Sequence, residues 1–202
     1  MRNDPNLSRR DFVVGLAAGA ATLAMPLPAL ALTVDGARTL VGRAVDAVNS
    51  IIASGKSETA MFGDFEKMFA KFADVPVIAR SALGVAAKSA SKGQLAGFTK
   101  AFQGYIARKY GRRFREFIGG RIEVTGAKPL KSYFEVASIA YLPGEAPFDL
   151  RWHVSDKSGR DLFFNLIIEG VNMLASERAE IGALLDKRKG NLDQLIADLK
   201  AL

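Results

Sequence analysis

The chain has no cysteine, a single histidine and a single tryptophan. Without cysteine there is no disulfide, no thiol nucleophile and no thiolate metal site. One histidine excludes a multi-histidine metal centre. No Gly-rich phosphate loop follows a strand pattern, and no serine stands in a nucleophile-elbow context. Neither a metal nor a cofactor is therefore expected, and the core must supply stability unaided. Acidic residues are also short, 21 against 28 basic, for a formal net charge of +7. That excess suggests an anionic partner, whether nucleic acid, a phospholipid headgroup or an acidic protein surface.

What is present is an ordinary globular composition. With 202 residues, 49% hydrophobic and 24% charged, the simplest organisation is one domain. The N-terminus reads MRNDPNLSRRDFVVGLAAGAATLAMPLPALA. Arg9 and Arg10 form a twin-arginine pair ahead of an apolar run, Phe12 to Met25, and Ala29-Leu30-Ala31 is a small-x-small cleavage site. This layout is that of a cleaved twin-arginine export signal over residues 1–31. The run of about 14 residues falls short of the roughly 20 needed to span a bilayer. No later run reaches that length either. The expectation is a mature domain of residues 32–202, soluble in the periplasm.

The first half carries helical periodicity. Val34 to Ala53 repeats apolar residues at helical spacing. Phe62, Phe65, Phe69 and Phe72 share one helix face. Pro76 starts a short helix that Gly84 ends. Ser91-x-x-Gln94 has the form of a capping box and opens a long helix expected to run through Phe117. Beyond Gly119-Gly120 the period changes to 2. Strands are expected at 121–127, 132–142, 148–154 and 161–169, joined by turns short enough to impose an antiparallel meander. Leu150, Trp152 and Val154 alternate with Asp149, Arg151 and His153. In the fourth strand Leu162, Phe164, Leu166 and Ile168 make the apolar face. Two closing helices are expected, capped by Ser176 and Asn191. The fold class is α+β: a four-stranded antiparallel meander with about six helices.

The most basic stretch is RKYGRRFREF, residues 108–117. Basic residues interleaved with aromatics suit a nucleic-acid surface. On a helix, however, Tyr110, Phe114 and Phe117 share one face. Arg108, Arg112 and Arg115 lie about 200° round from them, so interleaving in sequence becomes segregation in space. An exported protein also rarely meets nucleic acid. The expectation is an outward basic stripe, a solvated face or a docking patch for a partner or anionic headgroups, with the aromatics inside.

Candidates for chemistry are few. His153, with Asp149 on the same strand face, is expected to be exposed and without a catalytic role. Asp64-x-Glu66 reads as a solvated acidic surface. The conspicuous feature is apolar, with 13 phenylalanines gathered on helix and sheet faces. They either fill a core or line a cavity for an acyl chain.

Three segments carry a family resemblance. They are ARSALG (79–84), FTKAFQGYIARKYGRRF (98–114) and FFNLIIEGVNMLASERAEI (163–181). In the last, Glu169, Gly170, Val171 and Arg178 fall in place, while Asn172 stands where serine is usual. The mature chain resembles the MlaC / toluene-tolerance family of periplasmic phospholipid carriers. That resemblance implies a strongly curved sheet wrapped by helices around an apolar cavity. It also implies a monomeric shuttle, making transient membrane contact, between an outer-membrane lipoprotein–porin complex and an inner-membrane lipid ABC transporter. On that reading the expected cavity wall is Phe69, Phe102, Tyr105, Ile106, Val136, Leu150, Trp152, Phe164 and Leu166. A hopanoid is an alternative cargo. The competing readings are a cone-fold isomerase or dehydratase with an Asp or His inside the cone, and a ligand-free periplasmic adaptor.

Overall fold

In the computed structural model of the chain, the structure describes residues 31–112 and 117–202. Arg9, Arg10, Phe114 and Arg115 lie outside the described residues. Helix α1 (Val34–Ile52) starts at Thr33, whose hydroxyl accepts from the Gly36 amide. Ser57 caps α2 (Glu58–Phe72), and Asp74 caps α3 (Val75–Leu83). A short 3-10 turn, Gly84–Lys88, then leads to α4 (Lys92–Gly111). The Ser91–Gln94 capping box is formed in both directions, satisfying two otherwise orphaned donors.

The sheet follows in the order β1 (Arg121–Pro129), β2 (Phe134–Tyr141), β3 (Phe148–Ser155), β4 (Leu162–Ile168) and β5 (Val171–Asn172), with every neighbouring pair antiparallel. It thus has five strands, not the four expected from the sequence. The fifth pairs only Val171 and Asn172 with β4, too short a segment to show a period. It is reached by a tight turn in which both Glu169 (φ 48°) and Gly170 (φ 79°) are left-handed. Helices α5 (Met173–Lys187) and α6 (Leu192–Ala201) close the chain. The cap of α5 is Asn172, not Ser176. An asparagine in the place of serine preserves the side-chain acceptor that a helix start needs. Asn191 caps α6 as its sequence pattern predicts.

Ala31–Leu202 form one compact unit. Helix α1 lies against β1, β2 and β3, and α4 packs on both α2 and α6. Two of the sequence segments that carry the family resemblance meet here. The Arg178 guanidinium lies against Gly84, its Nε 3.2 Å from where a Cβ would stand. With φ at 63° in addition, Gly84 accepts no side chain without strain.

The expected long helix is shorter than its pattern. It ends at Gly111, where Phe62 of α2 presses so close that a Cβ would sit 2.5 Å from its ring. Phe117 is therefore not on α4. It stands in a turn with its ring edge-on to Phe148, centroids 6.3 Å apart. Among the described residues no helix is long and apolar enough to cross a membrane.

Candidate functional site

The register places two apolar rows on the inner face of the sheet, Val136–Trp152–Leu166 and Ser138–Leu150–Ile168. Ser138 is tolerated there because its hydroxyl accepts from the Trp152 indole N–H at 2.8 Å, which also fixes the ring. A bulge between His153 and Val154 then gives β4 one extra residue, Phe164. A single inserted residue reverses which side chains face inward. Phe163, not Phe164, therefore lies against Trp152 (centroids 5.2 Å) and Phe69 (6.3 Å). The Phe164 ring instead meets Tyr133 and His153. A second tie fixes this point, since the Asp74 amide donates to the Phe163 carbonyl at 2.8 Å.

Between this face and the helices lies a pocket of about 700 Å³, within the range of small-molecule sites. The sheet contributes Leu150, Trp152, Phe163, Leu166 and Ile168. Helix α2 contributes Phe65, Met68 and Phe69, and α4 contributes Ile106, Ala107 and Tyr110. Val48 and Ile78 close it from α1 and α3. Met173, Leu174 and Glu177 of α5 complete the wall, and Phe117, Leu142, Glu145, Phe148, Glu169 and Val171 come from the turns and nearby strand ends.

Of the nine residues expected in the wall, Phe69, Ile106, Leu150, Trp152, Phe164 and Leu166 border this pocket, although the Phe164 ring itself meets Tyr133 and His153 on the outer face. Phe102, Tyr105 and Val136 do not. Phe102 and Val136 are fully buried in packed core. The Phe102 ring lies between Phe98 (5.7 Å) and Tyr105 (6.3 Å). Residues such as Met68, Phe163 and Leu174 were missed, for want of any signal separating a wall residue from a core residue.

Where α4 faces α5, the contact is polar. Lys109 Nζ donates to Glu177 (2.7 Å) and Glu180 (2.5 Å). The Tyr110 hydroxyl donates to Glu177 and the Tyr105 hydroxyl to Glu180. Burial opposes the Lys109 charge, but the two carboxylates outweigh it and hold its pKa above the usual lysine value. Burial, then the neighbouring carboxylate, pushes both tyrosine hydroxyls up. The seam is thus neutral tyrosines and a permanent ion pair.

The expected basic stripe is not continuous. Arg108 is folded over Gly104 and donates to the Leu199 carbonyl at 2.6 Å, so it ties α4 to α6 instead of facing outward. Arg112 is exposed. His153, expected on the surface, is only 9% exposed. It sits on the outer face of the sheet in the row Lys128–Glu135–His153–Asn165, under Tyr133 at 4.6 Å. Glu135, not Asp149, is its carboxylate neighbour, at 3.7 Å. Burial lowers its pKa, with Glu135 partly opposing. Asp64 pairs with Lys56 at 2.6 Å. Among the described residues no group of His, Asp and Glu could hold a metal ion.

The fold and its pocket define a class: an α+β protein with an apolar recess between its sheet and its helices. A model of the MlaC protein family matches residues 42–201, and the chain belongs to that family. The fold is also that of a phospholipid-binding protein from Ralstonia solanacearum, solved in complex with a phospholipid. That structure superposes with a TM-score of 0.68 at 19% identity, covering 81% of this chain and 98% of the other.

Proposed function

We propose that this protein is a periplasmic phospholipid carrier that holds acyl chains in the pocket between β2–β4 and the helices. The observation that carries the reading is the wall itself, apolar along every contributing element, with its few polar groups at Tyr110, Glu145, Asn165, Glu169 and Glu177. Membership of the MlaC family and the phospholipid held by the similar Ralstonia solanacearum protein support it. Both point to a binding or transport protein rather than an enzyme.

Export by the twin-arginine signal, and exchange with an inner-membrane ABC transporter and an outer-membrane lipoprotein–porin complex, belong to the same proposal. Each buried CH₂ stabilises the complex by about 0.8 kcal/mol, so a two-chain lipid would not leave unaided on a useful timescale. Release must be coupled to a partner that favours an opened state. The test is purification without detergent, followed by mass spectrometry of extracted lipid. Co-purified phospholipid near one per protein is expected. Protein that emerges empty, and stays empty after incubation with phospholipid vesicles, overturns the reading.

A further inference from the structure

The surplus of positive charge is not spread along the chain. Residues 75–115 hold nine Lys and Arg and no Asp or Glu, and the remainder of the chain is slightly acidic. Two of these cations are occupied inside the protein. Arg108 reaches the Leu199 carbonyl, and Lys109 reaches Glu177 and Glu180. Those nearer the beginning are not. Arg80 on α3, Lys88 in the 3-10 turn, and Lys92 and Lys100 on the first half of α4 are exposed. Among the described residues none of these four forms a salt bridge. Two valines share this surface. Val77 precedes Arg80 by three residues of helix, which makes them neighbours, and is 41% exposed. Val85 precedes Lys88 by three residues of 3-10 turn, where such side chains eclipse. It is 72% exposed, the most of any large hydrophobic among the described residues. The other exposed residues between 75 and 100 are proline, serine, glycine and alanine.

A surface of cations, valines and small residues without an acid complements an anionic bilayer. Each basic residue brought near such a bilayer raises binding about fivefold, and apolar side chains set among the cations enter the headgroup region. Protein interfaces are instead depleted in lysine and enriched in aromatics. Three of the four cations here are lysines, and no aromatic side chain between 75 and 100 is exposed. We propose that the exposed side of α3, the 3-10 turn and the start of α4 docks on the anionic headgroups of a bilayer. Another side of α3 carries Ile78 to the border of the pocket, so a single helix joins the docking face to the cargo site. This inference rests on the carrier reading and names the surface through which such a carrier meets a membrane.

The test is co-sedimentation of the purified protein with vesicles at physiological ionic strength. Dioleoyl phosphatidylcholine alone is set against its equal mixture with dioleoyl phosphatidylglycerol. Binding to the mixture should be at least about tenfold tighter than to phosphatidylcholine alone. R80S/K88S should weaken it about 20-fold. R80K/K88R should stay within about twofold of wild type, since it keeps the charge that the bilayer reads. V85D, which sets a carboxylate against the headgroups, should weaken it about fivefold or more. K131S/K157S removes the same charge as R80S/K88S from exposed turns of the sheet and should leave binding within about twofold, because charge far from the bilayer is screened. No preference for the anionic vesicles overturns the inference, and is the result that a face built for an acidic protein would give. Equal losses in the two serine pairs also overturn it, because binding would then follow net charge and not this face. Either result leaves the carrier reading standing, since that reading fails only if no lipid co-purifies or loads.

Discussion

Helix α4 carries one aromatic and aliphatic stripe, but its two ends do different things. Near its start Phe98 and Phe102 are fully buried and stack on each other. Near its end Ile106, Ala107 and Tyr110 border the pocket. The residue types and the spacing are alike. The difference is what stands opposite. The first half has α6 against it, with Ile196 reaching to 3.6 Å from the Cβ position of Gly97. Beside the second half, α5 is joined to α4 through Lys109, Tyr110, Glu177 and Glu180, a polar seam that does not fill the adjoining space with apolar atoms. A hollow is thus a property of the partner element, and a stripe read on one helix cannot report it.

That contrast is broken most directly by truncation. Phe102→Ala should cost about 3–5 kcal/mol, because a filled site keeps the cavity it is given. Ile106→Ala should cost only about 1–2 kcal/mol, since widening an existing pocket loses buried area without creating a new void. Urea unfolding of the two variants measures both. Equal losses would mean that the two ends of α4 do not differ.

Leu166→Asp makes the complementary separation. Leu166 is half-buried and borders the pocket, so the carboxylate can be hydrated in the empty protein. An acyl chain seated against it would have to bury that charge, at a cost no lipid contact offsets. Bound lipid should fall below detection while the fold persists by circular dichroism. A folded variant that still carries lipid at the wild-type ratio would place the chains elsewhere.

Much of this contrast lay beyond the sequence, for identifiable reasons. Local devices were legible, because each is a few adjacent residues acting on their own backbone. The Ser91–Gln94 box, the Asn191 cap and the alternation that orients Leu150 and Trp152 are of this kind. The bulge that exchanges Phe163 for Phe164 was not, since it arises from the register of β4 against β3. Nor was the end of α4 at Gly111, where the Phe62 ring of another helix leaves no room for a side chain. Arg108 looked like surface until α6 supplied the Leu199 carbonyl. His153 followed the polar alternation correctly onto the outer face, but Tyr133 and Phe164 cover that face locally.

The covered histidine yields a pH dependence that the inner face should not share. Its folded pKa lies below the ordinary value because burial disfavours the imidazolium, with Glu135 partly restoring it. Glu135 is itself bonded to Lys128 at 3.1 Å and lies 3.9 Å from Arg151, so its charge is shared. The unfolded chain then takes up the proton more readily. The contribution of His153 to stability is complete above the ordinary histidine pKa, near 6.5, and is lost as pH falls through the lower folded value. Melting temperature should drop between about pH 7.5 and 5, and His153→Gln should flatten part of that drop. Identical pH profiles would show that the ring is solvated.

The smallest expected effect concerns the far end of the same helix, where burial gives way to exposed charge. Arg112 is exposed, with only a long contact of 3.5 Å to the Leu202 carbonyl. We expect Arg112 and Arg115 to serve encounter with a membrane or an acidic partner, whereas Arg108 serves α4–α6 packing. Arg112→Ser with Arg115→Ser should leave stability within about 0.5 kcal/mol. Arg108→Ser should cost more, because its guanidinium is part-buried against α6 and removing it strips a hydrogen bond from the Leu199 carbonyl. Exchange of lipid with anionic vesicles should slow in the double variant at low salt and converge with wild type near physiological salt. Exposed charges act on encounter rate, and the Debye length there is only about 8 Å. A double variant whose exchange tracks wild type at every ionic strength would reduce these two arginines to solvated charge. The division between the packed start and the hollow middle of α4 would then stand alone.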